Sequence, residues 1–295
     1  MKFSLWPAND RAPADLLEEA RTAEATGWYG VWLADHYMPD TGDTTPARGD
    51  TYECWALLPA LAAVTERIRI GTLVSPTSVH HPALLAKRAA TIDRLSGGRM
   101  VLGLGAGWQI NEHYAYGIDL EPPGKRVSRF EEAIGIVRSM LAEDSTTFHG
   151  EFYNVTDAPC DPKPVQSPLP LLVGTRGPRM LRITARNASE WNTWGVPDVA
   201  AGRRKALLEA CEKAGRDPAT MWTSVNAFVE LGGSTPPSGP TIAGTAQQLV
   251  DQLGQYADLG FDEFILPNWN LGADKAERSD NLARIKAEVL DHMAA

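Results

Sequence analysis

Asp35 and His36 stand together at the end of an apolar run, Val31-Trp32-Leu33-Ala34. Imidazole titrates near working pH, so His36 suits proton transfer, and Asp35 suits orienting it or bonding a ligand. A second group is Gly174-Thr175-Arg176-Gly177-Pro178, where a strand-like run meets a helix-like one. Glycines let a backbone turn tightly and aim N–H groups at an anion. A helix N-terminus adds a favourable dipole, and Arg176 or Arg179 adds charge. A plain helix-start turn explains the same letters, because proline suits the first helical position. A third group is Gly105-Ala106-Gly107-Trp108, followed by Asn111 and Glu112. Six tryptophans, at 6, 32, 108, 191, 194 and 269, lie near the ends of apolar runs. Aromatic walls suit planar ligands, although tryptophan also fills cores.

Other chemistries find no support. The histidines at 36, 80, 81, 113, 149 and 292 form no HExxH and no tight cluster with carboxylates. His80 and His81 are adjacent, so on extended backbone they point apart. No catalytic metal is expected. The nucleophile motif GxSxG is also missing.

Strand-like and helix-like runs alternate along the chain. The strands are expected at 3–6, 30–34, 68–74, 99–104, 170–173, 190–193, 221–229 and 263–267. The helices are expected at 14–25, 52–65, 82–95, 127–142, 178–186, 199–214, 245–259 and 275–292. The polar, Pro-rich segment 143–169 breaks the rhythm and reads as an insertion with a small hairpin at 147–153. A loose loop is expected at 234–240. Repeated strand-helix units require a parallel sheet covered by helices. With eight units and no early GxGxxG, a closed (β/α)8 TIM barrel is expected rather than an open doubly wound sheet. One barrel domain then spans 1–295. Its C-terminal strand ends share a rim, and the residues above all fall on that rim.

Composition is globular, with 43% hydrophobic and 22% charged residues in 295. The net charge of -9 and the absence of a dense basic stretch set nucleic acid aside. Cys54, Cys160 and Cys211 are far apart and odd in number. That pattern suits a reducing compartment and no disulfide scaffold. No signal core or membrane-length apolar run is read, so a cytoplasmic protein is expected.

The text GWYGVWLADHYMP at 27–39 resembles the luciferase-like monooxygenase superfamily. So do TYECWALLPALAAVTERIRIGTLVSP at 51–76, the long run at 81–117 and LPLLVGTRGPRMLRITARNASEWNTWG at 169–195. The Asp-His pair and the ASEWN text resemble the branch that uses the deazaflavin coenzyme F420. The resemblance implies a barrel of the bacterial-luciferase type with insertions, and hydride transfer between deazaflavin C5 and a small organic substrate. Asp35 and His36 then match a pair beside the cofactor ring, with the histidine as acid/base. Leu73, Val74 and Ser75 match the end of the third strand, where relatives carry a non-proline cis peptide behind the ring. Gly105, Ala106, Gly107 and Asn111 match a loop around the ring, and Gly174, Thr175, Arg176 and Gly177 a phosphate cradle. F420-dependent sugar-phosphate dehydrogenases carry a glutamate where this chain has Trp108. That substrate class is therefore not expected. Trp108, Trp194 and Trp269 would shape a pocket for an apolar or aromatic substrate instead.

Three functions stay open at this point: the F420 oxidoreductase, an FMN-dependent monooxygenase fed by a partner reductase, and a non-catalytic cofactor-binding protein. The first implies an F420-reducing system as the source of reductant. Relatives also pair as homodimers, for which the apolar helix at 52–65 would serve. That helix would equally pack on its own barrel.

Overall fold

Eight parallel strands close on themselves in the computed structural model, which describes residues 1–232 and 239–293. They are β1 (Lys2–Trp6), β2 (Gly30–Leu33), β3 (Arg69–Thr72), β4 (Met100–Gly105), β5 (Leu171–Gly174), β6 (Glu190–Trp194), β7 (Trp222–Asn226) and β8 (Glu263–Pro267). Each pairs with the next, and β8 returns to β1 through Phe3 opposite Phe264 and Leu5 opposite Leu266. The fold is thus the (β/α)8 barrel expected from the alternation. Helices α1 (Pro13–Ala25), α2 (Cys54–Val64), α3 (Pro82–Ser96), α4 (Pro123–Ala142), α5 (Pro178–Asn187), α6 (Pro197–Lys213), α7 (Ala246–Asp258) and α8 (Lys275–Glu288) follow the strands in turn.

Local signals explain the helix ends. Proline fills the first turn of α1, α3, α4, α5 and α6, where its missing N–H costs nothing. Thr245 and Gln248 close a reciprocal capping box on α7. Gly97 ends α3 at φ 68°, a left-handed turn that a β-carbon disfavours.

Strand side chains alternate between the helices and the barrel interior. Trp6, Trp32, Leu73, Val101, Leu172 and Ile265 form the apolar interior, and Ala34, Val74 and Trp194 pack on it. The helix-facing side chains make a separate, larger core. Towards the strand N-terminal ends, Arg69 pairs with buried Glu190 and approaches Glu263 at 3.9 Å. Glu263 also accepts from the indole N–H of Trp32 (2.9 Å) and Trp222 (3.1 Å). These donors satisfy a carboxylate that burial would otherwise penalise. The ionic plug closes one end of the barrel and leaves the other for chemistry.

Several expected boundaries move. The third strand, expected to run through 74, stops at Thr72. The Leu73–Val74 peptide is cis, and the chain pairs again only at Ser75–Pro76. The seventh, expected at 221–229, ends at Asn226. Phe228–Leu231 then pairs with Thr241–Gly244 outside the barrel. The hairpin expected at 147–153 is built from Ser145–His149 and Asn154–Pro159, with the expected residues mostly in its turn. A short helix, Ile110–Ala115, lies in the loop after β4 and had no sequence signal. The loop expected at 234–240 lies outside the described residues except for Gly239 and Pro240. Helix α2 turns Leu57, Leu58 and Leu61 inward, so its leucines pack on their own barrel. Among the described residues no helix is long and apolar enough to cross a membrane.

Candidate active site

The C-terminal strand ends gather most of the expected residues on one rim. His36 follows β2, and its Nδ1 lies 3.0 Å from Oε1 of Glu112. Glu112 is buried, and its second oxygen accepts the backbone N–H of Tyr37 at 2.9 Å. The short helix after β4 carries Glu112, so the loops after β2 and β4 meet at this pair. The Trp108 indole stands edge-on to the His36 ring at 5.4 Å between centroids and is 58% exposed. His36 Nε2 has no partner among the described residues.

Asp35 does not orient His36, which corrects one of its two expected uses. Its Oδ2 instead accepts from Ser75 Oγ (2.6 Å), His80 Nε2 (2.8 Å) and Trp55 Nε1 (3.0 Å). Burial pushes this carboxyl up, but the His80, Ser75 and Trp55 donors outweigh burial and hold it below the ordinary range. Oδ1 is buried and has no partner. Three further buried rim atoms share that condition: Trp6 Nε1, Asn9 Oδ1 and Thr77 Oγ1. Buried polar atoms are normally bonded, so these four are candidates for bonds to a ligand.

The glycines have different reasons from the one expected. Gly174 and Gly177 both have negative φ, so neither is required by a left-handed turn. A β-carbon on Gly174 would stand 3.1 Å from Val74 Cγ1, and one on Gly105 2.8 Å from Val74 Cγ2. These two glycines make room for the valine side chain at the cis bond. Gly107 does need its glycine, with φ 88° and Ser78 Oγ 2.1 Å from a built β-carbon. Gly177 is the informative one, because a β-carbon there meets nothing in the protein. It precedes α5, whose first turn has no side-chain cap.

Arg179 is drawn away from this cradle by Glu131 (3.0 Å) and Ser128 (3.0 Å) on α4. Arg176 is exposed and makes no ion pair among the described residues. Arg203 bonds the Trp194 carbonyl, and burial and then the nearby Arg176 guanidinium weigh against its charge. The uncapped α5 N-terminus beside the exposed Arg176 suits an anion.

Asn111, expected at the ligand, is committed to the loop. Its Nδ2 donates to the Pro39 carbonyl (2.8 Å), and its Oδ1 accepts from Gln109 Nε2 (2.9 Å) and Glu112 N (3.0 Å). It therefore sets the position of Glu112 rather than facing a ligand. Ala106 packs on the main core, and Leu73 is buried in the barrel interior. Thr175 anchors the cradle through its backbone N–H to the Asn192 carbonyl at 3.2 Å. Trp194 and Trp269 do come together, 6.3 Å apart, with Trp6 and Phe228 packed against both. Trp108 stands with His36 instead. Trp32 and Trp191 are core residues.

The sequence placed Glu112 on the rim without a role and gave none to His80 or Trp55. The only signal was position, since Glu112 and His80 also follow strand ends. His113, a neighbour of Glu112, is bonded to the Gln109 carbonyl (2.6 Å) and Ser78 Oγ (2.8 Å). Burial holds its pKa below the ordinary value of 6.5. The folded state therefore keeps it neutral while the unfolded chain takes a proton. Its contribution to stability is complete above pH ~6.5 and is lost as pH falls towards its folded pKa. Urea unfolding at pH 7.5 and 5.5 should show a loss at low pH that His113→Gln reduces.

The family described as luciferase-like monooxygenase matches residues 1–234. An F420-dependent glucose-6-phosphate dehydrogenase of Amycolatopsis mediterranei is 35% identical over 61% of the chain and 53% of its own length. The chain thus spans about half the length of that curated relative. An uncharacterised protein of Mycobacterium bovis is 30% identical over 87% of the chain and 88% of its own length. Among solved structures, an F420-dependent secondary alcohol dehydrogenase in complex with an F420-acetone adduct superposes with a TM-score of 0.83. The match covers 98% of this chain and 99% of that one at 20% identity, and it speaks for the fold.

Proposed function

Because the chain belongs to the luciferase-like monooxygenase family, we propose that it is an F420-dependent oxidoreductase acting on a small uncharged organic substrate. The observation that carries this reading is His36 on the C-terminal rim, held through Nδ1 by buried Glu112 with the Trp108 indole beside it. The similarity to F420-dependent glucose-6-phosphate dehydrogenases supports the cofactor.

The residues present fit a deazaflavin. Asp35 Oδ1 is an acceptor and Trp6 Nε1 a donor, matching ring N–H and carbonyl groups. Leu73 and Val74 would back the ring. The α5 N-terminus, Gly177 and Arg176 would hold the phosphate. Bound F420 supplies a hydride at C5 of its reduced ring. The protein aligns the substrate, excludes water with its indoles and moves one proton. In the reducing direction His36 passes the proton on Nε2 to the substrate atom that gains the electron pair. In the oxidising direction Nε2 takes the proton back. A separate F420-reducing system would restore the reductant.

Substrate class follows from the walls. Trp108 stands beside His36, and Trp6, Trp194, Phe228 and Trp269 form an aromatic cluster. That surface favours an apolar or aromatic carbonyl compound over a sugar phosphate. Oxidation of reduced F420 should therefore be measured with cyclic enones and ketones and, in reverse, reduction of F420 with glucose 6-phosphate. Turnover of the former alone is expected, and turnover of glucose 6-phosphate alone would refute the substrate class. The three free, buried cysteines are consistent with a reducing, cytoplasmic setting.

The cradle has its own test. Gly177→Ala adds a methyl that touches nothing in the protein, so Tm should hold within a few degrees. The methyl would sit where a phosphate must approach the backbone, so F420 affinity should fall by roughly tenfold, about 1.4 kcal/mol. Unchanged affinity measured by fluorescence titration would remove Gly177 from the cofactor site.

A further inference from the structure

We propose that Glu112 is the positioning residue for His36, fixing which imidazole nitrogen carries the mobile proton. The inference rests on the acid/base reading of His36 given above. An ionised carboxylate only accepts hydrogen bonds. Both Glu112 oxygens are taken, Oε1 by His36 Nδ1 at 3.0 Å and Oε2 by the Tyr37 backbone N–H at 2.9 Å. Nδ1 must therefore bear a hydrogen, and neutral His36 is the Nδ1–H tautomer with its lone pair on Nε2. Nε2 is also the nitrogen with no partner among the described residues.

The support behind Glu112 is equally specific. Its own N–H donates to Asn111 Oδ1, and Asn111 is tied to Gln109 and to the Pro39 carbonyl. The His36 loop and the Glu112 helix are thereby joined at both ends. A buried carboxylate behind an imidazole stabilises the imidazolium that forms when Nε2 takes a proton, and it prevents rotation of the ring. The proton then moves only at Nε2, while Nδ1–H stays on Glu112 throughout. The Trp108 edge limits the remaining rotation from the other side.

Glu112→Gln tests this. Glutamine offers one acceptor where two are needed, so its amide must face either Nδ1 or the Tyr37 N–H. The tautomer of His36 is read directly from long-range proton–nitrogen correlations on the full-length chain labelled with 15N-histidine, with His36→Gln assigning the signals. Wild type is expected as Nδ1–H with or without F420, and Glu112→Gln as Nε2–H. In turnover, Glu112→Gln should lower kcat by roughly 10²-fold while KM and the F420 Kd stay within about threefold. In a His36→Gln background the same change should cost little, because the two act as a unit. An Nε2–H wild type would overturn the proposal, and needs no variant to fold and no cofactor to bind. An undiminished kcat in Glu112→Gln, or an equal loss in both backgrounds, would overturn it as well.

Discussion

His36→Gln is expected to lower kcat for reduced-F420 oxidation by roughly 10²–10⁴-fold, the usual contribution of a positioned acid or base. F420 affinity should change little, because the ring-binding atoms assigned above belong to Asp35, Trp6 and the strand ends. Glutamine keeps a polar group against Glu112 and a similar bulk beside Trp108, so the loop should keep its shape. What it loses is a nitrogen that gains and loses a proton near neutral pH. A loss of affinity with unchanged kcat would make His36 a cofactor ligand and not the proton donor. Titration of F420 by fluorescence and single-turnover mixing with an enone separate the two outcomes.

The second large effect is expected at Asp35. Its Oδ2 accepts three hydrogen bonds in the interior, from Ser75, His80 and Trp55. Asp35→Asn turns an amide into that arrangement. One orientation sets its N–H groups against the His80, Ser75 and Trp55 donors. The other saves those bonds and offers the ligand a donor where an acceptor is needed. Weakening the acceptor of three buried hydrogen bonds costs about 1–3 kcal/mol. We therefore expect a fall in Tm of roughly 2–9 °C, together with loss of tight F420 binding. The sign of the pH effect follows from the depressed pKa of Asp35. Its stabilisation is present above pH ~3.8 and is lost as pH falls through the lower folded value. The acid limb of the wild-type stability curve should therefore be shallower in the variant. Normal stability with lost binding would restrict Asp35 to the ligand; the reverse would make it purely structural.

Much of this arrangement was legible in the sequence, for identifiable reasons. Apolar runs of four to six residues alternating with proline-opened helices define strands and helices, and their number selects a barrel. In a barrel, all C-terminal strand ends share a rim, so Asp35-His36 and Gly174–Gly177 could be placed together without coordinates. Pair identities could not. Glu112 lies 76 positions from His36 and His80 lies 45 from Asp35, and no local pattern joins residues so far apart. Adjacency suggested that Asp35 supports His36. The alternation of side chains along the chain instead sends the neighbours to different partners. The glycines were equally opaque, since Gly105 and Gly174 serve the Val74 side chain, while a β-carbon on Gly177 would meet nothing in the protein. Asn111 looked like a ligand residue by position, and its three bonds to the loop show why position was insufficient.

The identity of the cofactor decides the chemistry of the site. Purified protein should be titrated with F420 and, separately, with FMN, following ligand fluorescence and the rise in Tm. Tight F420 binding, a clear rise in Tm and weak FMN binding are the predicted result. Tight FMN binding with none of F420 would contradict it, and would make the chain a flavin monooxygenase that depends on a partner reductase.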